Sequence, residues 1–337
     1  MPLISFTDKG FYCEQGNFYV DPIKPVDYAV ITHAHSDHAR WGSQYYLCHT
    51  YTQPLLQLRL GNVVTEAIGW GEKKYINGVE LSLHPSGHIV GASQVRIAYK
   101  GEVWVISGDY KLENDGISGS FEPIACHHFI SESTFALPIY QWQPQEHVYN
   151  NMRQWVLSNI AANQSSVFLA YSLGKAQRVI QALAPLQLPI FVHGAIANTQ
   201  KVINNLAVAL FPEVYQVTAE TPKEALKNAI VVAPPSVENA AWLNKFGAYQ
   251  LSVCSGWMQV RGNGRRQNID KGFVLSDHAD WQSLLEAFKL TKAENIWLTH
   301  GFQSVMCRYL NEVGKQAYEV PPFWMQSTNV DTELERG

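Results

Sequence analysis

The run Tyr28-Ala-Val-Ile-Thr-His-Ala-His-Ser-Asp-His38 constrains this chain more than any other stretch. Ala29 to Thr32 reads as a short buried strand that stops at a cluster of metal-binding side chains. His33 and His35 stand two positions apart, so an extended backbone carries both rings to one side. Asp37 and His38 follow as the chain turns toward Ala39-Arg40, where ligands can face another direction. Three imidazoles and a carboxylate within six residues suit zinc or a similar borderline metal. Behind a strand, H-x-H-x-D-H is far more specific than an isolated H-x-H.

The same grammar returns along the chain. Gly78-Val-Glu-Leu-Ser-Leu-His84 alternates like a strand and runs into Pro85-Ser-Gly-His88. His84 and His88 compete for a ligand role; His88 follows a glycine in a loop past the strand end, and His84 reads as structural. Glu102-Val-Trp-Val-Ile-Ser-Gly-Asp109 is a buried-strand pattern ending in a carboxylate, and Phe129-Ile-Ser-Glu132 repeats it with a glutamate. Phe273-Val-Leu-Ser-Asp-His278 and Ile296-Trp-Leu-Thr-His300 are strand-then-ligand again. Asp280 is placed to cap the helix that follows. Strand after strand ending in His, Asp or Glu implies that one edge of a sheet has been built into a site.

Between these blocks the pattern changes. From about residue 140, strand and helix alternate: Val167–Tyr171 then a helix, Ile190–His193 then a helix, and Ala229–Ala233. That alternation predicts a small parallel sheet with helical crossovers. The expected organisation is therefore one domain interrupted by another, with 1–135 and 256–320 sharing a sheet system, 136–255 inserted, and 321–337 a solvated C-terminal tail. No apolar run approaches a membrane span and no signal-peptide pattern opens the chain. The five scattered cysteines lack C-x-x-C spacing and read as reduced thiols, which favours a cytoplasmic protein. A net charge of −4 argues against a simple electrostatic nucleic-acid binder, though not against an enzyme whose metals and local basic loops hold phosphates.

The candidates His33, His35, Asp37, His38, His88, Asp109, Glu132, His278 and His300 are too many for one tetrahedral zinc. They suit two metals with an acid–base pair, and Asp109 is best placed to bridge. A histidine held by a carboxylate, such as His278 with Glu132, would protonate a leaving group.

His33-x-His-x-Asp-His38, Ser86-Gly-His88, Ser107-Gly-Asp109 and Thr299-His300-Gly together resemble the metallo-β-lactamase fold hydrolases. Ser131-Glu-Ser-Thr134, Leu275-Ser-Asp-His-Ala-Asp280 and Leu298-Thr-His-Gly301 are similar to the A, B and C motifs of the β-CASP nucleases, a branch with mRNA 3′-end processing endonucleases and DNA-repair nucleases. Ser5-Phe-Thr-Asp-Lys-Gly10, Ala170-Tyr-Ser-Leu-Gly-Lys-Ala-Gln177 and Cys254-Ser-Gly-Trp257 resemble most the bacterial ligase-associated DNA damage response exonucleases. The resemblance covers about residues 1–320. It implies an α/β (α+β sandwich) protein: a metallo-β-lactamase αββα fold interrupted by an inserted α/β β-CASP domain. It further implies His33, His35 and His88 on one metal, Asp37, His38 and His300 on the other, Asp109 between them, and Glu132 with His278 as the acid–base pair. Two Zn2+, or Mn2+ in their place, would be the cofactors. The substrate would be nucleic acid, DNA ends with single strands favoured, beside a DNA ligase and a helicase. One departure is Ala136, where the family leads one to expect glycine.

Other residues keep two readings. Asp21 is either a turn former before Pro22 or a support for the histidine loop. Lys175 lies at a strand–helix junction, as a phosphate contact or a solvated lysine. Arg261, Arg265 and Arg266 form a glycine-flexible basic loop suited to a nucleic-acid backbone. Trp70, Trp142, Trp155, Trp242 and Trp257 read as core or interface residues, with base stacking open to one of them. An RNA-processing nuclease, a small-molecule hydrolase of the same fold and a non-catalytic scaffold stand as alternatives; small substrates need no inserted domain, and the intact ligand set disfavours a scaffold.

Overall fold

The computed structural model describes residues 2–260 and 269–321. Arg261, Arg265, Arg266 and all but the first residue of the expected tail lie outside the described residues. The chain forms two compact units: residues 1–141 with the described residues from 278 onward, and residues 142–277.

The first unit contains two sheets. One runs in sequence order through Ile4–Thr7, Gly10–Cys13, Phe18–Val20, Tyr28–Val30, Tyr45–His49 and Thr65–Ile68. The other is ordered Lys74–Ile76, Val79–Pro85, Ser93–Tyr99, Glu102–Ile106, His128–Glu132, Asn295–Thr299 and Gln316–Glu319. The alternation of strand side chains assigns the layers. Val30 and Leu47 of one sheet share a buried cluster with Leu81, Ile97, Trp104 and Ile106 of the other. Their sequence neighbours point outward: Ala29, Ile31, Tyr46 and Cys48 pack on Leu56 of the helix Thr52–Leu60. Val105, Phe129 and Leu298 pack on Leu284 and Phe288 of the helix Trp281–Leu290, and on Met306 and Leu310 of Gln303–Glu312. Asp280 caps the first of these helices, accepting from the Ser283 amide at 2.8 Å. The unit is layered helix, sheet, sheet, helix.

The second unit is built on one fully parallel sheet, ordered Val214–Gln216, Ile190–Val192, Ile230–Ala233, Ser165–Leu169, Tyr249–Cys254 and Lys271–Phe273. Parallel strands are covered on both faces and read as continuous apolar runs. Ile230–Ala233 is buried at all four positions: Ile230 and Val232 face a cluster with Met152, Val179 and Ile180, while Val231 and Ala233 face one with Leu243 and Phe246. Lys271–Phe273 departs from the expected organisation. It joins this parallel sheet, with Ser252 opposite Lys271 and Cys254 opposite Phe273, rather than the sheets of the first unit. Phe273 and Leu275 bury themselves beside Phe168 and Val232, which draws the segment into this core.

All five cysteines are free thiols. Burial pushes Cys13 up to about 11, and Cys48, Cys126 and Cys254 up to about 12. Among the described residues no helix is long and apolar enough to cross a membrane.

Candidate metal centre

Sheet direction explains why distant ligands meet. Glu102–Ile106, His128–Glu132 and Asn295–Thr299 are parallel neighbours, with Ile106 opposite Ile130 and Glu132 opposite Thr299. Their carboxyl ends fall on one edge, which brings Asp109, Glu132 and His300 to it. Val79–Pro85 is antiparallel to Ser93–Tyr99, itself antiparallel to Glu102–Ile106, so the strand before His88 ends on that edge too. Gly108 makes the approach possible: at φ 55°, an added Cβ would lie 2.8 Å from the Thr32 side chain.

Two groups of ligand atoms converge on Asp109. His33, His35, His88 and Asp109 form one, and Asp37, His38 and Asp109 the other. His35 Nδ1 lies 3.2 Å from His33 Nε2 and 3.1 Å from His88 Nε2. Asp109 Oδ2 lies 3.5 Å from His33 Nε2, 3.6 Å from His88 Nε2 and 3.4 Å from His38 Nε2. Atoms held about 2.0–2.1 Å from a tetrahedral ion stand roughly 3.4 Å from one another, which is the spacing found here. Asp37 Oδ2 is 3.5 Å from His38 Nε2, while Asp37 Oδ1 is buried with no hydrogen-bond partner among the described residues. An orphaned carboxylate oxygen is costly to bury, and a cation would satisfy it. His300 lines the same cavity as Asp37, His38 and Asp109, its ring centre 5.7 Å from that of His38. The residues fit a divalent metal site.

Neighbouring groups set the tautomers. Asp21 Oδ1 accepts the Thr32 amide at 2.8 Å, and Oδ2 accepts the Thr32 hydroxyl at 2.5 Å and His38 Nδ1 at 2.7 Å. With its proton given to Asp21, Thr32 Oγ1 accepts from His33 Nδ1 at 3.0 Å. Nε2 of both rings is thereby left facing Asp109, an arrangement that orients metal ligands and raises their basicity. Asp21 adopts φ 44° and His300 φ 57°, left-handed values rare for side-chain-bearing residues and often found at functional sites. Asp21→Asn should weaken metal binding about 10–100-fold while the fold persists. Competition titration with a chromophoric chelator reads this, and parental affinity would reduce Asp21 to a turn former.

The electrostatics leave His33 and Asp109 ready to bind a cation, whereas His38 must give up a proton to do so. Burial pushes His33 well below the ordinary imidazole range, and His38 adds to it. Burial would also lower His38, but Asp109, Asp37 and Asp21 outweigh it and hold the ring well above that range. Burial would raise Asp109, yet His38 and His278 dominate and keep its carboxyl well below the carboxylate range.

Beside these groups, Glu132 divides its oxygens: Oε1 accepts the Tyr110 amide and Oε2 accepts His278 Nδ1, each at 2.8 Å. His278 packs on His88, ring centres 4.7 Å apart. His84 pairs with Glu122 at 2.9 Å, as a structural histidine does. Ala136 lies outside the left-handed region, so alanine meets no backbone strain there. Lys175 differs from both its readings. It is buried, its Nζ is 3.8 Å from Asp277 Oδ2 and lies over the Tyr171 ring, and its charge serves Asp277 rather than an exposed phosphate.

Sequence reading missed Thr32 and Arg59. Arg59, on the helix Thr52–Leu60, donates to the carbonyls of Ala34 at 2.6 Å and Ala39 at 3.4 Å, bracketing the ligand loop. Only its place in the last turn of a helix distinguishes it in the sequence. Arg59→Ala should cost about 2 kcal/mol, the scale of hydrogen bonds to a charged group, and should weaken metal uptake with it. Urea unfolding and metal titration check both, and an unchanged midpoint would show that the loop holds itself.

No protein-family model matches the chain. A probable DNA ligase of Opitutus terrae is 29% identical over 318 residues, covering 92% of this chain and 30% of the ligase. Endoribonuclease YSH1 of Saccharomyces cerevisiae is 25% identical over 120 residues, 35% of this chain and 15% of that protein. RNase aCSPSF2 of Saccharolobus solfataricus is 26% identical over 121 residues, 35% of this chain and 24% of that protein. The resemblance read from the motifs holds. The chain spans less than a third of the length of each of these relatives. Its fold is shared with a protein of unknown function from Enterococcus faecalis, at a TM-score of 0.56 and 14% identity over 89% of this chain and 81% of that one.

Proposed function

We propose that this chain is a nuclease that uses two divalent metals to hydrolyse phosphodiester bonds, an exonuclease trimming DNA ends in cytoplasmic repair. The convergence of two ligand groups on Asp109 carries the reading. In it, the first unit is a metallo-β-lactamase αββα domain and residues 142–277 an inserted β-CASP domain, its bounds shifted from 136–255. Similarity to part of a probable DNA ligase supports work on DNA ends beside a ligase; a helicase partner is part of the proposal and rests on the motif resemblance alone.

His33, His35 and His88 would hold one metal, Asp37, His38 and His300 the other, and Asp109 both. When bound, a zinc or manganese pair supplies Lewis acidity and a nucleophile available at neutral pH. Asp21 and Thr32 keep His38 and His33 in the tautomers that present Nε2. Glu132 accepts from His278 Nδ1 and so orients the ring and stabilises its imidazolium form, in which Nε2 carries the proton that goes to the departing oxygen.

The test is degradation of end-labelled single- and double-stranded DNA and RNA oligonucleotides, with each end labelled in turn. Metal-dependent shortening of DNA from one end, faster on single strands, is expected. Metal-loaded protein that leaves every oligonucleotide intact would overturn the reading. Preferred cleavage of RNA would move the chain to the activity that its endoribonuclease and RNase relatives are named for.

A further inference from the structure

Arg40 and Trp41 follow directly on the ligand loop and have no part in holding it. Trp41 is 73% exposed, the most exposed tryptophan among the described residues, whereas Trp104 is 1% and Trp281 6% exposed. A solitary exposed indole is commonplace. Three observations set this one apart.

The first is rigidity. The Tyr46 hydroxyl, itself buried, donates to the Arg40 carbonyl at 2.8 Å and accepts the Ser43 amide at 2.9 Å. Ser43 Oγ accepts the Val26 amide at 3.2 Å, and the Gln44 amide donates to the Val26 carbonyl at 3.0 Å. The indole is thus presented to solvent by a fastened segment, at little ordering cost to a ligand that uses it.

The second is its neighbour. Among the described residues the Arg40 guanidinium forms no ion pair, and its Nε is buried without an acceptor. This cation stands beside a centre rich in carboxylates, Asp21, Asp37, Asp109 and Glu132, and is claimed by none of them. The third is reach. Two or three residues span at most roughly 7–11 Å, so Arg40 and Trp41 lie close to His38 and to whatever reacts there.

An unclaimed guanidinium next to an exposed indole carried on a fastened backbone matches a phosphate next to a base. We infer that Arg40 and Trp41 form a nucleotide subsite: Arg40 takes a backbone phosphate adjoining the reacting one, and Trp41 stacks the base attached to it. The inference rests on the nuclease reading and adds where the strand is gripped. Stacking tolerates any base, so the subsite holds single-stranded nucleic acid without reading its sequence.

The test measures oligonucleotide binding in a His278→Ala background, with metal content checked for every variant. One probe is a single-stranded DNA; the other is the same strand made of abasic nucleotides. Trp41→Ala should weaken binding of the intact strand about 5–150-fold, the range for one stacked base, and should not weaken binding of the abasic strand. Trp41→Phe should recover most of the loss. Arg40→Gln should weaken both strands and flatten the salt dependence by about one phosphate contact, roughly 0.7 in slope. Intact-strand binding by Trp41→Ala at parental strength would overturn the subsite while leaving the nuclease reading in place. A parent that binds neither strand would remove both.

Discussion

Asp109→Ala should abolish activity and leave the chain short of metal. Asp109 Oδ2 lies 3.4–3.6 Å from the Nε2 atoms of His33, His38 and His88, so a single carboxylate ties both ligand groups together. Removing it takes a shared anionic ligand from a buried cluster of imidazoles. Turnover should fall at least about 10³-fold, equivalent to ~4 kcal/mol of transition-state stabilisation. Metal analysis after reconstitution should give two ions per chain for the parent and fewer for the variant. Ligand binding stabilises the folded state, so a chelator should lower the melting temperature of the parent more than that of Asp109→Ala. A parent that takes up no stoichiometric metal would end the dinuclear reading.

His278→Ala should behave differently: full metal content and turnover lower by about 10²–10⁴-fold, the usual contribution of a positioned acid or base. The distinction matters because Asp109, Glu132 and His278 also cluster as three potential ligands. If His278 protonates the leaving oxygen, a phosphodiester with a nitrophenolate leaving group, which needs no proton, should lose much less than an oligonucleotide. An equal loss on both substrates, accompanied by loss of metal, would make His278 a ligand.

The site was legible in the sequence because its signals are local. Most of the candidate ligands come shortly after an apolar run, and a strand that ends in a ligand delivers it to an edge of the sheet that the strand joins. Asp21 kept two readings in the sequence, and its hydrogen bonds to Thr32 and His38 are what the support reading requires. What sequence left open depends on partners distant along the chain. Lys175 reads as a solvent-facing cation until Asp277 comes beside it. The strand Lys271–Phe273 has the same strand-then-ligand wording as its counterparts, and that wording does not say which sheet it joins. Pairing with Tyr249–Cys254 decides it. Thr32 looked like the polar end of an apolar strand, and its role emerges only when Asp21 takes its proton.

The buried cysteines supply an internal clock for each half of the molecule. Cys13, Cys48 and Cys126 lie in the first unit and Cys254 in the second. Only a thiolate reacts with alkylating agents, and groups held at about 11–12 are almost entirely protonated at neutral pH. Labelling must therefore await local opening, and its rate reports the free energy of that opening. Mass spectrometry of the labelled peptides would resolve the two units separately within one intact chain. Metal should slow labelling at Cys48, whose strand neighbours the one leading to His33 and His35, more than at Cys254.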